Sequence, residues 1–409
     1  MTQTQHLVEA LAAGGDGLIE VNGKAVFVPG TAPGDTVILD DQGRVQDIQQ
    51  GPNHAKSRCS HFGTCGGCTL QYLSDDMYAQ WLQSTITRKL QQHSLETLIL
   101  PAAVSPPQTR RRCAVSARWQ DGAFVIGFTQ EKSHQLVPLS DCAVLDPAVF
   151  GLITPLGALL KPYVGKRQTL RATITRASNG IDLLLEGINT DDPQLRQDVA
   201  FFAQDHQGIC RIIGQERGYE DILFQQDTPI MRFDGGVVAL PCGAFTQATP
   251  QGEAALIQAL RDWIEAPKAI ADLFSGVGSL SLALARHAKV DAFEASQPAV
   301  HALKNARLAK GRHGIHAIHR DLFRRPLTVA ELNKYETIVL DPPRAGAKAQ
   351  CETLAEGNCG QLLYVSCNPN TFARDARILV DGGYSLESIQ PVGQFLWSTH
   401  VELAAHFHR

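Results

Sequence analysis

Two strand ends in the last third of the sequence carry the side chains with the most chemical reach. Glu336 to Leu340 is a short apolar run closed by Asp341-Pro342-Pro343-Arg344-Ala345-Gly346, where the prolines stiffen a loop that holds a carboxylate in place. Gln361 to Ser366 is a second such run, closed by Cys367-Asn368-Pro369-Asn370 and followed by a helix from about Thr371. A cysteine just ahead of a helix amino terminus gains from the dipole, which favours thiolate, the nucleophilic form. Taken singly, the cysteine reads equally as buried packing and the aspartate as a turn cap. Beside a methyl donor they define a reaction. Carbon 5 of a pyrimidine is a poor nucleophile, but thiolate addition at carbon 6 makes an enolate whose carbon 5 can attack an activated methyl group. A base must then take the hydrogen from carbon 5. Thr399-His400-Val401-Glu402-Leu403 offers Glu402 for that step, with His400 the weaker candidate.

A donor site is legible upstream. The run ending in Ala271-Asp272-Leu273-Phe274 passes into Ser275-Gly276-Val277-Gly278-Ser279 and a helix, so a glycine turn brings backbone amides close to a ligand. The next strand ends in Glu294, eighteen residues after Gly276, where a carboxylate can accept from both ribose hydroxyls. Ser281 stands where the third glycine of a dinucleotide fingerprint would fall, which favours S-adenosylmethionine, a nucleoside without a pyrophosphate. Asp321 lies at a further strand end.

The elements that must position these groups follow from periodicity. Helices are expected at 253–264, 279–288 and 298–310, with strands at Ala269 to Phe274, Val290 to Phe293, Glu336 to Leu340 and Leu362 to Ser366. Alternating helices and apolar strands predict a mainly parallel, doubly wound sheet with ligands at the carboxyl ends of its strands. Residues 112–245 mix strands (Cys113 to Trp119, Phe124 to Phe128, Leu170 to Thr175, Ile181 to Leu185) with helices, an α+β pattern. A helix is expected over Met77 to Leu90, and three glycine-punctuated strands before residue 50 predict a small β-barrel.

Cys59, Cys65 and Cys68, spaced C-x5-C-x2-C among glycines, are three soft ligands that lack a fourth, a pattern that suits zinc and iron–sulfur alike. Cys113, Cys210, Cys242, Cys351 and Cys359 show no grouping. A chain of 409 residues calls for two or three cores, and with no apolar stretch of about 18 residues and no secretory leader it is expected to be soluble and cytoplasmic. Net charge is -4, yet residues 54–120 carry eight basic residues against three acidic ones. Trp119, Phe62 and Tyr72 interleave with that basic stretch, as in surfaces that stack unpaired bases; for Arg110 to Arg112 a solvated strand edge is the alternative.

Asp-Leu-Phe-Ser-Gly-Val-Gly at 272–278, Asp-Pro-Pro-Arg-Ala-Gly at 341–346, Ser-Cys-Asn-Pro at 366–369 and His-Val-Glu at 400–402 together resemble the RNA 5-methyluridine methyltransferases, in order and spacing. The resemblance implies that Cys367 is the nucleophile and Glu402 the base. It implies that Gln247, Phe274, Ser279, Glu294 and Asp321 surround S-adenosylmethionine, that Asp341 stands between cofactor and uracil, and that Phe245 faces a flipped base. Two departures border the substrate pocket: Ala248-Thr249 replace the usual Val-Asn, and Gly393-Gln394-Phe395-Leu396 the usual Asp-Met-Phe-Pro. Iron–sulfur members are similar from end to end, which implies Cys142 as the fourth ligand of a [4Fe-4S] cluster and His61 as surface or RNA-facing. The implied architecture is multidomain. It comprises a TRAM/OB-like β-barrel (1–51), an α+β iron–sulfur domain (52–70 and 106–243) and a Rossmann-like class I methyltransferase domain (71–105 and 244–409). The expected activity is 5-methyluridine formation in structured RNA, 23S rRNA ahead of tRNA, by a monomer without membrane or DNA partners. The alternatives are a cytosine carbon-5 methyltransferase and an inactive iron–sulfur RNA-binding protein.

Overall fold

Strands of four to six residues in the carboxyl-terminal half are buried on both faces, as parallel strands between two layers require. In the computed structural model, which describes residues 3–409, five of them run parallel in the order Ile315–His319, Lys289–Glu294, Ala269–Leu273, Thr337–Leu340 and Gln361–Ser366. Glu402–His408 then enters antiparallel, between Gln361–Ser366 and Ser385–Gly393. Alternation divides the side chains between two cores: Ile338, Leu340, Leu362 and Tyr364 face one layer, Val339, Leu363 and Val365 the other. The chain leaves Ala269–Leu273 toward Lys289–Glu294 on one side and reaches Thr337–Leu340 on the other, so a crevice opens at the carboxyl ends of the strands there.

Several boundaries differ from the periodicity. The helix expected at 298–310 is Gln297–Lys304, where the Asn305 amide turns back to the His301 carbonyl at 2.8 Å and Arg307–Leu308 departs as a strand. The helix expected at 279–288 is Ser279–Leu284, closed by tight turns before Lys289 enters the sheet. Asp75–Gln91 is the helix expected near 77–90, capped by Ser74. Its Trp81, Leu82, Ile86 and Leu90 share a core with Phe372, Leu379 and Phe407, and Leu98–Ile99 and Ala103–Val104 extend the sheet beside Ser385–Gly393.

Residues 112–225 form a seven-stranded sheet backed by helices Ile153–Leu160 and Pro193–Asp205 over one apolar core. The amino-terminal segment holds six strands, not three, in two three-stranded sheets around Val8, Ile19, Val28, Val37 and Leu39. The aromatics among the basic residues are spent on packing: Tyr72 is buried, Phe62 packs against the large core, and Trp119 meets Phe124 edge-on and donates to the Val164 carbonyl. Arg111 is likewise no solvated edge. It is buried and paired with Glu253, while its Nε donates to the Gln247 carbonyl at 2.8 Å.

Candidate active site

Phe245, Gln247, Phe274, Ser279, Glu294, Asp321, Asp341, Cys367 and Glu402 all line one cavity of about 790 Å³ at that crevice. Strand register delivers the reactive trio. Ser366 pairs with Leu403 in the antiparallel ladder, so one step further along sets Cys367 against Glu402. Leu340 pairs with Leu273 and with Tyr364, so Asp341 and Phe274 leave neighbouring strands in the same row.

At the donor end the loop is shaped by left-handed backbone. Phe274 has φ 66° and Gly278 φ 89°; Phe274 pays a steric penalty there that glycine escapes. A Cβ on Gly278 would lie 2.4 Å from the Leu303 side chain, so any larger residue there must displace that leucine as well as adopt a strained φ. Glu294 is oriented by two backbone N–H groups, Gly276 at 2.9 Å and Ser296 at 2.7 Å, and keeps lone pairs for a ligand. The Phe274 and Phe323 rings stand 5.3 Å apart at the cavity rim, an aromatic pair that the motifs did not single out. Two buried hydroxyls that line the cavity lack protein partners, those of Thr246 and Ser275, and behind them one oxygen of Asp272 is also unpaired. Asp272 is pushed up to about 7 by burial, against the hydrogen bond from Ser281. Unpaired polar atoms of this kind are the counterpart of a polar ligand, and they fit a nucleoside with an amino-acid tail.

At the acceptor end, burial pushes the Asp341 carboxyl up to about 7. Glu402 is pushed up to about 8, by burial first and then by Asp341, with the hydrogen bond from Gln394 pulling the other way. Burial, Glu402 and Asp341 push the Cys367 thiol up to about 11, the direction opposite to that expected from the helix dipole. Arg344 opposes that rise, and the helix Pro369–Asp381 begins just beyond the cysteine. Arg344 also donates to His400 Nδ1 at 2.9 Å, and burial lowers the imidazole further, so His400 is a neutral ring at the rim. Arg110, over the Phe395 ring, and Cys242 also line the wall; Arg110 was read only as part of a basic stretch, and Cys242 was left without a role by its sequence context.

Cys59, Cys65, Cys68 and Cys142 line a second, small and largely apolar cavity with Phe62, Phe128 and Leu139. Burial raises the Cys59, Cys65 and Cys68 thiols, Cys68 to about 12. The two cysteine-bearing loops are cross-tied: Ser60 donates to Asp141 from N and Oγ, and the Ser140 N–H donates to His61 Nε2 at 2.8 Å. His61, half-buried, ties the two loops through that bond. An all-thiol donor set in an apolar pocket fits iron–sulfur or zinc chemistry. Among the described residues no three His, Cys, Asp or Glu side chains are grouped closely enough to hold a metal ion. No disulfide joins any of the ten cysteines, and among the described residues no helix is long and apolar enough to cross a membrane.

A doubly wound sheet whose crevice holds a glycine turn, a carboxylate held by backbone N–H groups and a cysteine beside two acids has the architecture of a Rossmann-like methyltransferase. The profile of the tRNA (uracil-5-)-methyltransferase family matches residues 240–409. An RNA methyltransferase of Agrobacterium fabrum is 36% identical over 409 residues, covering 97% of each chain, and one of Zymomonas mobilis is 38% identical over 97% of this chain and 98% of its own. The 23S rRNA (uracil(1939)-C(5))-methyltransferase of Shewanella amazonensis is 29% identical over 96% of this chain and 93% of its own. The solved tRNA (uracil-54, C5)-methyltransferase of Pyrococcus abyssi, in complex with S-adenosyl-L-homocysteine, shares the fold with a TM-score of 0.74 at 23% identity, over 98% and 99% of the two chains. The chain belongs to the tRNA (uracil-5-)-methyltransferase family, and it is a class I, S-adenosylmethionine-dependent RNA (uracil-5-)-methyltransferase.

Proposed function

We propose that this protein methylates carbon 5 of a uridine in structured RNA, 23S rRNA ahead of tRNA, through a covalent adduct on Cys367. The observation that carries the reading is the meeting of Cys367, Asp341 and Glu402 in one cavity with the glycine turn. S-adenosylmethionine supplies an activated methyl group when bound, held by Gln247, Phe274, Ser279, Glu294 and Asp321. The uridine is flipped into the cleft against Phe245, whose ring is 62% exposed at the mouth and open to stacking. Asp341 orients the uracil imide hydrogen. The Cys367 sulfur, its proton lost to solvent, bonds to carbon 6 and the ring π electrons pass to the carbonyl oxygen; carbon 5 of the enolate then takes the methyl group, whose carbon–sulfur bond to the donor breaks. Glu402 removes the hydrogen left on carbon 5, the carbon 5–carbon 6 double bond re-forms, and the bond to sulfur breaks.

Preference for 23S rRNA rests on similarity to the Shewanella enzyme along nearly the whole chain. Cys59, Cys65, Cys68 and Cys142 would hold a [4Fe-4S] cluster, which clamps the 52–70 segment to the loop at 140–142 and takes no part in the chemistry; their convergence on one cavity supports this. The six-stranded amino-terminal unit is read as a TRAM-like RNA-binding module. Nucleoside mass spectrometry of rRNA and tRNA from a strain lacking the gene tests the substrate: loss of 5-methyluridine from 23S rRNA is expected. Unchanged 5-methyluridine in both RNAs would sink the reading, and loss of 5-methylcytidine would replace it. Incubation with 5-fluorouridine RNA tests the nucleophile, since the wild type should form an adduct that Cys367→Ala does not.

A further inference from the structure

Among the described residues, one side chain alone donates a hydrogen bond to the Glu402 carboxyl: Gln394, whose Nε2 lies 2.8 Å from Glu402 Oε2. The other proton of that amide goes to Gln247 Oε1 at 2.8 Å, and its carbonyl accepts from the Ala248 N–H at 3.0 Å. Both donors and the acceptor are therefore used, and the amide is held in one orientation. Gln394 is 1% exposed, on the segment that leaves the Ser385–Gly393 strand, and Glu402 pairs with Val392 of that strand. Space for it is built in: a Cβ on Gly252, in the first turn of Pro250–Trp263, would lie 2.5 Å from the Gln394 Cβ. Glu402 Oε1 receives no hydrogen bond from the described residues, and Glu402 lines the cavity.

We propose that Gln394 is a positioning residue for the release step, fixing Oε2 of Glu402 so that Oε1 faces the hydrogen on carbon 5, and tying the base to Gln247 on the donor side. This rests on Glu402 being the base. A hydrogen bond to one oxygen of a carboxylate stabilises its ionised form, which is the form that can accept a proton. The other titratable or charged groups around Glu402 are Asp341 and Cys367 beside it and His400, Arg344 and Arg110 at the rim. Asp341 and Cys367 oppose ionisation of Glu402 when they are themselves charged, so the Gln394 N–H is the local group that favours it. Gln247 in turn reaches toward Asp341 Oδ2, at 3.4 Å, so one amide chain links both buried carboxyls.

Gln394→Met keeps the length of the side chain and removes its donors. In single turnovers with RNA substrate and S-adenosylmethionine, quenched in denaturant, methyl transfer should persist while the Cys367–RNA adduct accumulates. Release should slow about tenfold at pH 7, and its acid limb should move up by about one pH unit. A purely structural role would lower the unfolding midpoint without moving that limb. A folded Gln394→Met with wild-type release and an unmoved acid limb would overturn the proposal. Glu402→Gln is the parallel arm. If it accumulates no Cys367 adduct, the assignment of the base has failed; if it does and Gln394→Met does not, only the role of Gln394 has. Should Gln394→Met not fold, Gln394→Glu keeps the acceptor for the Ala248 N–H and sets an acid against Glu402. The acid limb should again rise, and an unmoved limb would again refute the idea.

Discussion

Replacing Glu402 by glutamine should stabilise the protein at neutral pH while abolishing turnover. The carboxyl goes from an ordinary 4.5 in the unfolded chain to about 8 in the folded one, because burial and Asp341 disfavour its charge. Below pH 4.5 the group is protonated in both states and costs nothing. Above it the unfolded chain ionises while the folded chain keeps its proton, so folding stability falls by about 1.4 kcal/mol per pH unit until about pH 8 and then levels. By pH 7 the loss is about 3 kcal/mol, a large fraction of the stability of a typical domain. Glutamine does not ionise, and its carbonyl can still accept the Gln394 N–H, so Glu402→Gln is free of that loss. Urea unfolding of wild type and variant at pH 5, 6, 7 and 8, followed by the fluorescence of Trp81, Trp263 and Trp397 around the catalytic sheet, measures the difference directly. The gap should widen with pH and approach about 3 kcal/mol at pH 7. A constant gap from pH 5 to 8 would refute a strongly raised Glu402.

Cys367 in the free protein should be slow to react with iodoacetamide at pH 7, and at pH 9 Glu402→Gln should speed alkylation, since it removes a negative charge that holds the thiol near 11; equal rates would mean that the two groups do not interact. Arg111→Met should lower stability by about 3 kcal/mol, because it strands the buried Glu253 carboxyl, and should loosen Gln247; urea midpoints and S-adenosylmethionine binding check both. Gly278→Ala should weaken S-adenosylmethionine binding at least about tenfold by calorimetry, since the new methyl meets Leu303 and φ is 89°. Anaerobically purified protein should contain about four irons with matching sulfide and absorb broadly in the visible, and Cys142→Ser should remove that absorbance; stoichiometric zinc instead would replace the cluster.

Much of the site was legible because its groups sit at strand ends, where short motifs and main-chain geometry coincide. Asp341, Cys367 and the glycine turn each follow an apolar strand, so a parallel sheet had to bring them to the same edge. The carboxyl-terminal strand is different. Its antiparallel entry beside Gln361–Ser366 is what sets Glu402 against Cys367, and the residues alone pointed to Glu402 only through the need for a base. The basic stretch misled in detail, because charge counted along a chain does not say which arginine is buried: Arg111 lies inside against Glu253, while Arg110 reaches the cavity. Tyr72 misled for the same reason, since it fills a core.

By itself the sequence determined the reaction class and the residues that could carry it, because nucleophile, acids and glycine turn are local chemistry written at fixed offsets from apolar strands. Tertiary structure decided their protonation and their partners. The raised pKa values of Cys367, Asp341 and Glu402 come from shared burial of groups far apart in the chain. The Gln394 amide joins residues 247, 248 and 402, a connection that no spacing encodes. Burial and charge proximity are sums over neighbours in space, and only the folded chain supplies that neighbourhood.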